Sequence, residues 1–170
     1  MDLANLKCID LDMPNEPGFR NFMNAWLCSD RQMTFLVDPG PLATLPQLLQ
    51  GLEDCQVETL DYILLTHIHI DHAGATGAVL EHFPEARVIC HPDGIAHLVN
   101  PAKLWAGSRK VLGRLADAYG EILAVPEKQI GFAEEIGSPR LRAFLTPGHA
   151  PHHCCYLFDD LLFAGEVAAV

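Results

Sequence analysis

Six consecutive residues, His67-Ile68-His69-Ile70-Asp71-His72, restrict this chain more than any other stretch. They follow Tyr62–Thr66, a short continuous apolar run of the kind that forms a strand buried on both faces. Four groups able to ligate a metal therefore stand at the end of a core strand. In extended chain, residues two apart point the same way. His67 and His69 can then reach one ion together. A turn into helix straight afterwards would swing Asp71 and His72 toward a second position close by. Ile68 and Ile70 would point into the core and fix the loop. A single His at such a place is more often a hydrogen-bonded core residue. Three imidazoles and a carboxylate at this spacing are costly to bury without a metal or other partners. Imidazole nitrogen and carboxylate oxygen suit one or two Zn²⁺ ions, with Fe²⁺ or Mn²⁺ as alternatives.

Thr146-Pro147-Gly148-His149 supplies a second piece. It follows the apolar run Leu141–Leu145, and Gly148 allows close backbone approach. A third nitrogen from this distant turn would complete a three-His site with an open position. Such a site lowers the pKa of a bound water to about 7.

The remainder reads as alternating strands and helices, which argues for an α/β layered domain spanning 1–170. Leu3–Leu11 reads as a strand, and Pro14–Gly18 as a loop. Phe22–Cys28 and Met33–Val37 form a hairpin pattern. Thr44–Leu52 is a predicted helix with Thr44 as N-cap and Leu45, Leu48, Leu49 and Leu52 on one face. A helix over Ala75–Phe83 and a strand over Arg87–Cys90 follow, closed by His91-Pro92-Asp93-Gly94. Ile95–Tyr119 is helical in pattern, broken by Pro101 and Gly107, and reads as an excursion over one face. Gly137–Pro139 reads as a turn. His153–Phe158 and Leu161–Ala164 form a hairpin at Asp159-Asp160.

Composition narrows the partners. The net charge is −11, from 22 acids against 11 bases, which argues against nucleic acid as the main partner. No apolar stretch reaches membrane-spanning length, and the N-terminus lacks a signal-peptide pattern. The six cysteines are scattered without a CxxC pair. They read as free thiols in a reducing cytoplasm. On a strand, Cys154 and Cys155 would point to opposite faces and could not grip one metal together.

The HxHxDH motif, the TPGH turn, Leu162-Phe163-Ala164-Gly165-Glu166, Asn24-Ala25-Trp26-Leu27 and Val37-Asp38-Pro39-Gly40 together resemble the metallo-β-lactamase superfamily, with glyoxalase II-like hydrolases nearest. The resemblance implies a four-layer αββα sandwich with metals at the sheet edges. It assigns His67, His69 and His149 to a first ion, and Asp71 and His72 to a second. A hydroxide between the ions would be the nucleophile, with Asp71 orienting it and passing a proton to the leaving group. Where the family has a bridging Asp, this chain has Glu166, whose extra methylene shifts the carboxylate by more than about one ångström. The family also continues beyond the point where this sequence ends, at Val170, with further strands and a final His. The chain is therefore expected to lack its last strands and to hold a second ion weakly, and its apolar edges could drive self-association into a homo-oligomer.

The functional expectation is a metallo-hydrolase acting on a small-molecule ester, thioester or lactone. Two alternatives stand beside it: an iron-dependent sulfur dioxygenase, and a metal-binding but inactive truncated chain. Among lesser candidates, His152 and His153 could line the pocket or be ordinary residues at a strand start. His91 could face the site. His82 and His97 read as packing or surface residues. Asp38 is expected to hydrogen-bond a ligand His. Lys103, Trp105 and Arg109 could contact substrate or lie on a solvated helix face. Trp26 and Tyr119 read as core.

Overall fold

The computed structural model describes residues 5–13, 16–20 and 22–167. Strands β1 (Leu6–Leu11), β2 (Met23–Ser29) and β3 (Thr34–Val37) form an antiparallel meander. From β3 the pairing becomes parallel, through β4 (Tyr62–Leu64) and β5 (Arg87–Ile89) to the two-residue β6 (Ile130–Gly131). The result is a six-stranded sheet in sequence order. Parallel neighbours need long crossovers. Helix α1 (Leu45–Asp54) links β3 to β4. Helices α2 (Ile70–Ala73) and α3 (Thr76–His82) link β4 to β5. Helices α4 (Pro92–Val99), α5 (Ala102–Leu112) and α6 (Arg114–Tyr119) lie between β5 and β6. A second, antiparallel sheet has the order β10-β9-β8-β7. Its strands are β7 (Glu135–Ile136), β8 (Ser138–Leu145), β9 (Cys154–Phe158) and β10 (Leu161–Phe163).

Strand periodicity divides the apolar residues between two cores. On one face of the first sheet, Phe35, Val37, Leu64 and Ile89 pack against Leu141, Tyr156, Phe158 and Phe163 of the second sheet. On the other face, Leu36, Ile63 and Val88 pack with Leu48, Leu52, Val79 and Leu98 from the helices. Strands covered on both sides must be apolar throughout, which is why β3 and β4 show no alternation. The layered α/β fold is thus observed as helices, sheet and sheet. Among the described residues, the outward positions Arg142, Phe144 and Leu162 of the second sheet are exposed. No helix among the described residues is long and apolar enough to cross a membrane.

Several local expectations are corrected. Leu3 and Ala4 of the first expected strand, and Pro14 and Asn15 of the loop, lie outside the described residues. Thr44 stands at the N-cap of α1, but its hydroxyl donates to the Pro41 carbonyl (2.9 Å) and caps nothing. His91-Pro92 closes the β5 strand, as expected, and does so by opening α4: proline suits the first helical turn, and the His91 ring accepts from the Asp93 amide (3.1 Å). Gly107 does not break α5, because a helical glycine weakens a helix without stopping it. The stop comes at Gly113, with φ +58. Trp26 is 38% exposed, not core. It shares its strand face with Cys28, but β10 is the edge of the second sheet, and Trp26 looks into a cleft beside Leu161–Phe163. Tyr119 is buried, as expected.

The sheets are clasped at the ends of the parallel strands. The fully buried Tyr156 hydroxyl lies 2.8 Å from the Leu65 carbonyl and 2.9 Å from that of Ile89, its one proton shared between them. One residue pair away, the Cys154 amide donates to the Thr66 carbonyl (2.6 Å). Removing the hydroxyl leaves a buried carbonyl under-satisfied. Tyr156→Phe should therefore lower unfolding free energy by about 1–3 kcal/mol. The check is a lower urea midpoint at unchanged denaturant slope; an unmoved midpoint would show that the clasp contributes nothing.

Candidate metal centre

The site forms where the parallel strands end. His67 and His69 leave β4 in extended chain, and His69 (φ −60, ψ 146) is the N-cap of α2. Helix α2 then turns Asp71 and His72 toward the same edge, while Ile68 and Ile70 are each 1% exposed and hold the loop from beneath. His149 arrives from the turn after β8, and Glu166 from the turn after β10. All six residues singled out in the sequence converge. One ligand atom each from His67, His69, His149 and Glu166 lie within 4.8 Å of one another. The Glu166 Oε2 atom is 2.8 Å from His149 Nε2, 3.4 Å from His67 Nε2 and 3.7 Å from His72 Nε2. Asp71 Oδ2 is 3.9 Å from His72 Nε2. The extra methylene of Glu166 thus leaves its carboxylate between the His67–His149 side and the His72–Asp71 side.

Asp38 sets the ring orientation. Its Oδ1 accepts from the Thr66 amide (2.8 Å), and its Oδ2 accepts from the Thr66 hydroxyl (2.6 Å) and from His72 Nδ1 (3.0 Å). The Thr66 hydroxyl has one proton and gives it to Asp38. Its oxygen must then accept from His67 Nδ1, 3.1 Å away. Both rings therefore carry their proton on Nδ1 and present a bare Nε2 lone pair to the cluster, the arrangement a ligating histidine needs. His67 Nε2 is buried and has no hydrogen-bond partner among the described residues. An orphaned lone pair facing two imidazoles and a carboxylate fits a divalent cation. Burial drives the His67 pKa far below the ordinary histidine range, reinforced by His72, His69 and His149. Burial also lowers His69, against the opposing charge of Asp71. At His72 burial pulls the same way but is outweighed by the Asp38 carboxylate, and its pKa is raised.

The neighbouring histidines divide. His153 is fully buried; its Nε2 accepts from the Glu166 amide (3.1 Å) and its Nδ1 meets Thr146 Oγ1 (2.8 Å). It ties the His149 turn to the Glu166 turn. His152 lines a cavity beside His69 and accepts weakly from the Ile68 amide (3.4 Å). Burial lowers its pKa to about 4. The His91 ring is engaged by the Asp93 amide, and His82 is exposed. Arg109 pairs with Asp117 (3.0 Å) on the surface. Thr66 escaped the sequence reading; its signal was a lone hydroxyl ending an apolar strand. His97, read as a packing or surface residue, lines the same cavity as His152.

Residues 20–169 match the family model of the metallo-beta-lactamase superfamily. The chain belongs to that superfamily. It is 31% identical over 160 residues to the metallo-beta-lactamase fold-containing protein ST1585 of Sulfurisphaera tokodaii, covering 88% of this chain and 58% of that one. It is 25% identical to a hydroxyacylglutathione hydrolase of Salmonella typhi, covering 92% and 51% respectively. The crystal structure of an archaeal superfamily protein, ST1585 from Sulfolobus tokodaii, superposes with a TM-score of 0.79 at 27% identity, over 95% of this chain and 63% of that one. The chain spans about half to two-thirds of the length of these relatives.

Two substitutions test the site. Asp38 has φ +50, which Asn tolerates. Asp38→Asn should keep the fold but weaken divalent-metal affinity by ~10–100-fold, as loss of a carboxylate behind ligand histidines does; competition against a chromogenic chelator reads this directly. Gly165 has φ +53, and a Cβ there would lie 2.7 Å from Thr66 Cβ and 2.8 Å from His153 Nε2. Gly165→Ala should destabilise the chain by about 1–3 kcal/mol and move Glu166. Unchanged melting and zinc affinity would refute that role.

Proposed function

We propose that this chain is a metal-dependent hydrolase of small esters, thioesters or lactones, with His67, His69 and His149 holding one ion, Asp71 and His72 a second, and Glu166 between them. The observation that carries the reading is the bare, buried Nε2 of His67 beside the Glu166 carboxylate. The relatives support the reaction class: one is named hydroxyacylglutathione hydrolase, and another, 30% identical over 84% of this chain and 35% of its own length, is named thioesterase pkgB, from Emericella nidulans. A divalent ion, zinc by donor set, would polarise the acyl oxygen and bring a bound water to a pKa of about 7. The chain's own groups do the rest. Asp38 and Thr66 hold the imidazoles in the ligating tautomer. Asp71, 35% exposed at the same edge, can take the proton lost by water and hand it to the leaving group. The six cysteines are free, and burial pushes Cys28, Cys90 and Cys154 up to about 12, which supports these three as inert thiols.

His69→Ala removes a proposed ligand at the surface of the cluster. Ester turnover by the zinc-loaded chain should fall at least ~100-fold, because metal stabilisation of the transition state is worth several kcal/mol, and bound zinc should fall with it. Full turnover with full metal content in this variant would end the reading.

A further inference from the structure

Helix α5 is anchored on one side and open on the other. Trp105 packs partly buried against the core and Leu104 lies at the boundary between that side and the open one, and no residue of α5 is fully buried. Leu104, Gly107, Ser108, Val111 and Leu112 recur at helical spacing and form one stripe. That stripe lines a cavity of about 530 Å³, and His69, His149 and Asp71 line the same cavity. Val111 is 82% exposed and Leu112 36%. Uncovered apolar side chains opening onto a reactive cluster mark a binding wall more than a loose surface. Gly107 lies mid-stripe with ordinary helical φ, and a Cβ there would meet nothing within 4 Å. Packing does not require this glycine, and glycine is a poorer helix former than alanine. What it provides is room in the cavity.

We propose that the α5 stripe is an acyl-binding wall, seating the linear aliphatic part of an ester or thioester whose acyl carbon sits at His69, His149 and Asp71. The continuity of one cavity from stripe to cluster selects a molecule with one apolar and one reactive polar end. At 1.5 Å rise per residue, Leu104 to Leu112 spans about 12 Å. With C–C bonds of about 1.5 Å, that suits an extended chain of roughly eight to ten carbons. The inference rests on the hydrolase reading for the bond that is cut, but the binding itself does not.

Calorimetry with decanoate and butyrate, on the metal-free and zinc-loaded chain, reads the wall without turnover. Decanoate should bind at least ~10-fold more tightly than butyrate, since each buried methylene adds to affinity. Gly107→Phe should abolish that preference while melting temperature does not fall and zinc content stays as in the parent chain. Equal affinities, or a preference that survives Gly107→Phe, would overturn the proposal. So would sedimentation showing a dimer that Val111→Lys dissolves, because a second copy would then cover the stripe. Decanoate preference without any ester turnover by the zinc-loaded parent chain would uphold the wall and defeat the hydrolase reading alone.

Discussion

One carboxylate holds the cluster in register. Asp38 sits in the left-handed backbone region, uncommon for a residue with a side chain, and its two oxygens accept three hydrogen bonds. Two go to Thr66, on the neighbouring parallel strand's extension, and one to His72, on the helix that follows. Asp38 therefore joins the end of β3, the end of β4 and the start of α2. Through the Thr66 hydroxyl it also fixes the proton of His67. If that carboxylate were displaced, neither imidazole would have a defined tautomer, and the strand end and helix start would lose their common tie.

The fold places this tie where it can matter. Parallel strands deliver their carboxyl ends to one edge, and loops at that edge are the natural seat of polar groups. The second sheet then brings two more groups to the same edge. Its registration depends on Tyr156 and Cys154, which bond the ends of β4 and β5 directly. His153, two residues after the β8–β9 turn's Pro151, braces the Glu166 turn. A core interaction thus sets the distance between His149 or Glu166 and the histidines of the first sheet.

Much of this was legible because the informative residues cluster in sequence. His67 to His72 follow an apolar run, and period-two geometry places His67 and His69 together without knowledge of the fold. Asp38 could be anticipated from the need of a ligand imidazole for an acceptor behind it. His149 was legible only by coupling the TPGH turn to the first motif, and Glu166 only by resemblance, because their convergence depends on how two sheets pack. Elements of two residues, β6 and β7, leave no periodicity to read. The exposure of Trp26 was illegible for a related reason: whether an aromatic on a strand is covered depends on where the opposite sheet stops. Gly107 and Gly113 look alike in sequence, and the difference lies in a backbone angle set by the turn into α6.

The cluster also sets a tension between stability and chemistry. His67 is fully buried, with a lone pair that no described residue hydrogen-bonds, and the charged forms of four nearby imidazoles, of His72, His69, His149 and His153, would repel its own. A chain selected for stability alone would fill that space with apolar side chains. The surrounding structure instead over-determines it, with Asp38, Thr66 and His153 each bonded twice or more to the groups that frame it. A cation at that point would satisfy the orphaned nitrogen and offset the carboxylates together, so folding and metal affinity draw on the same contacts.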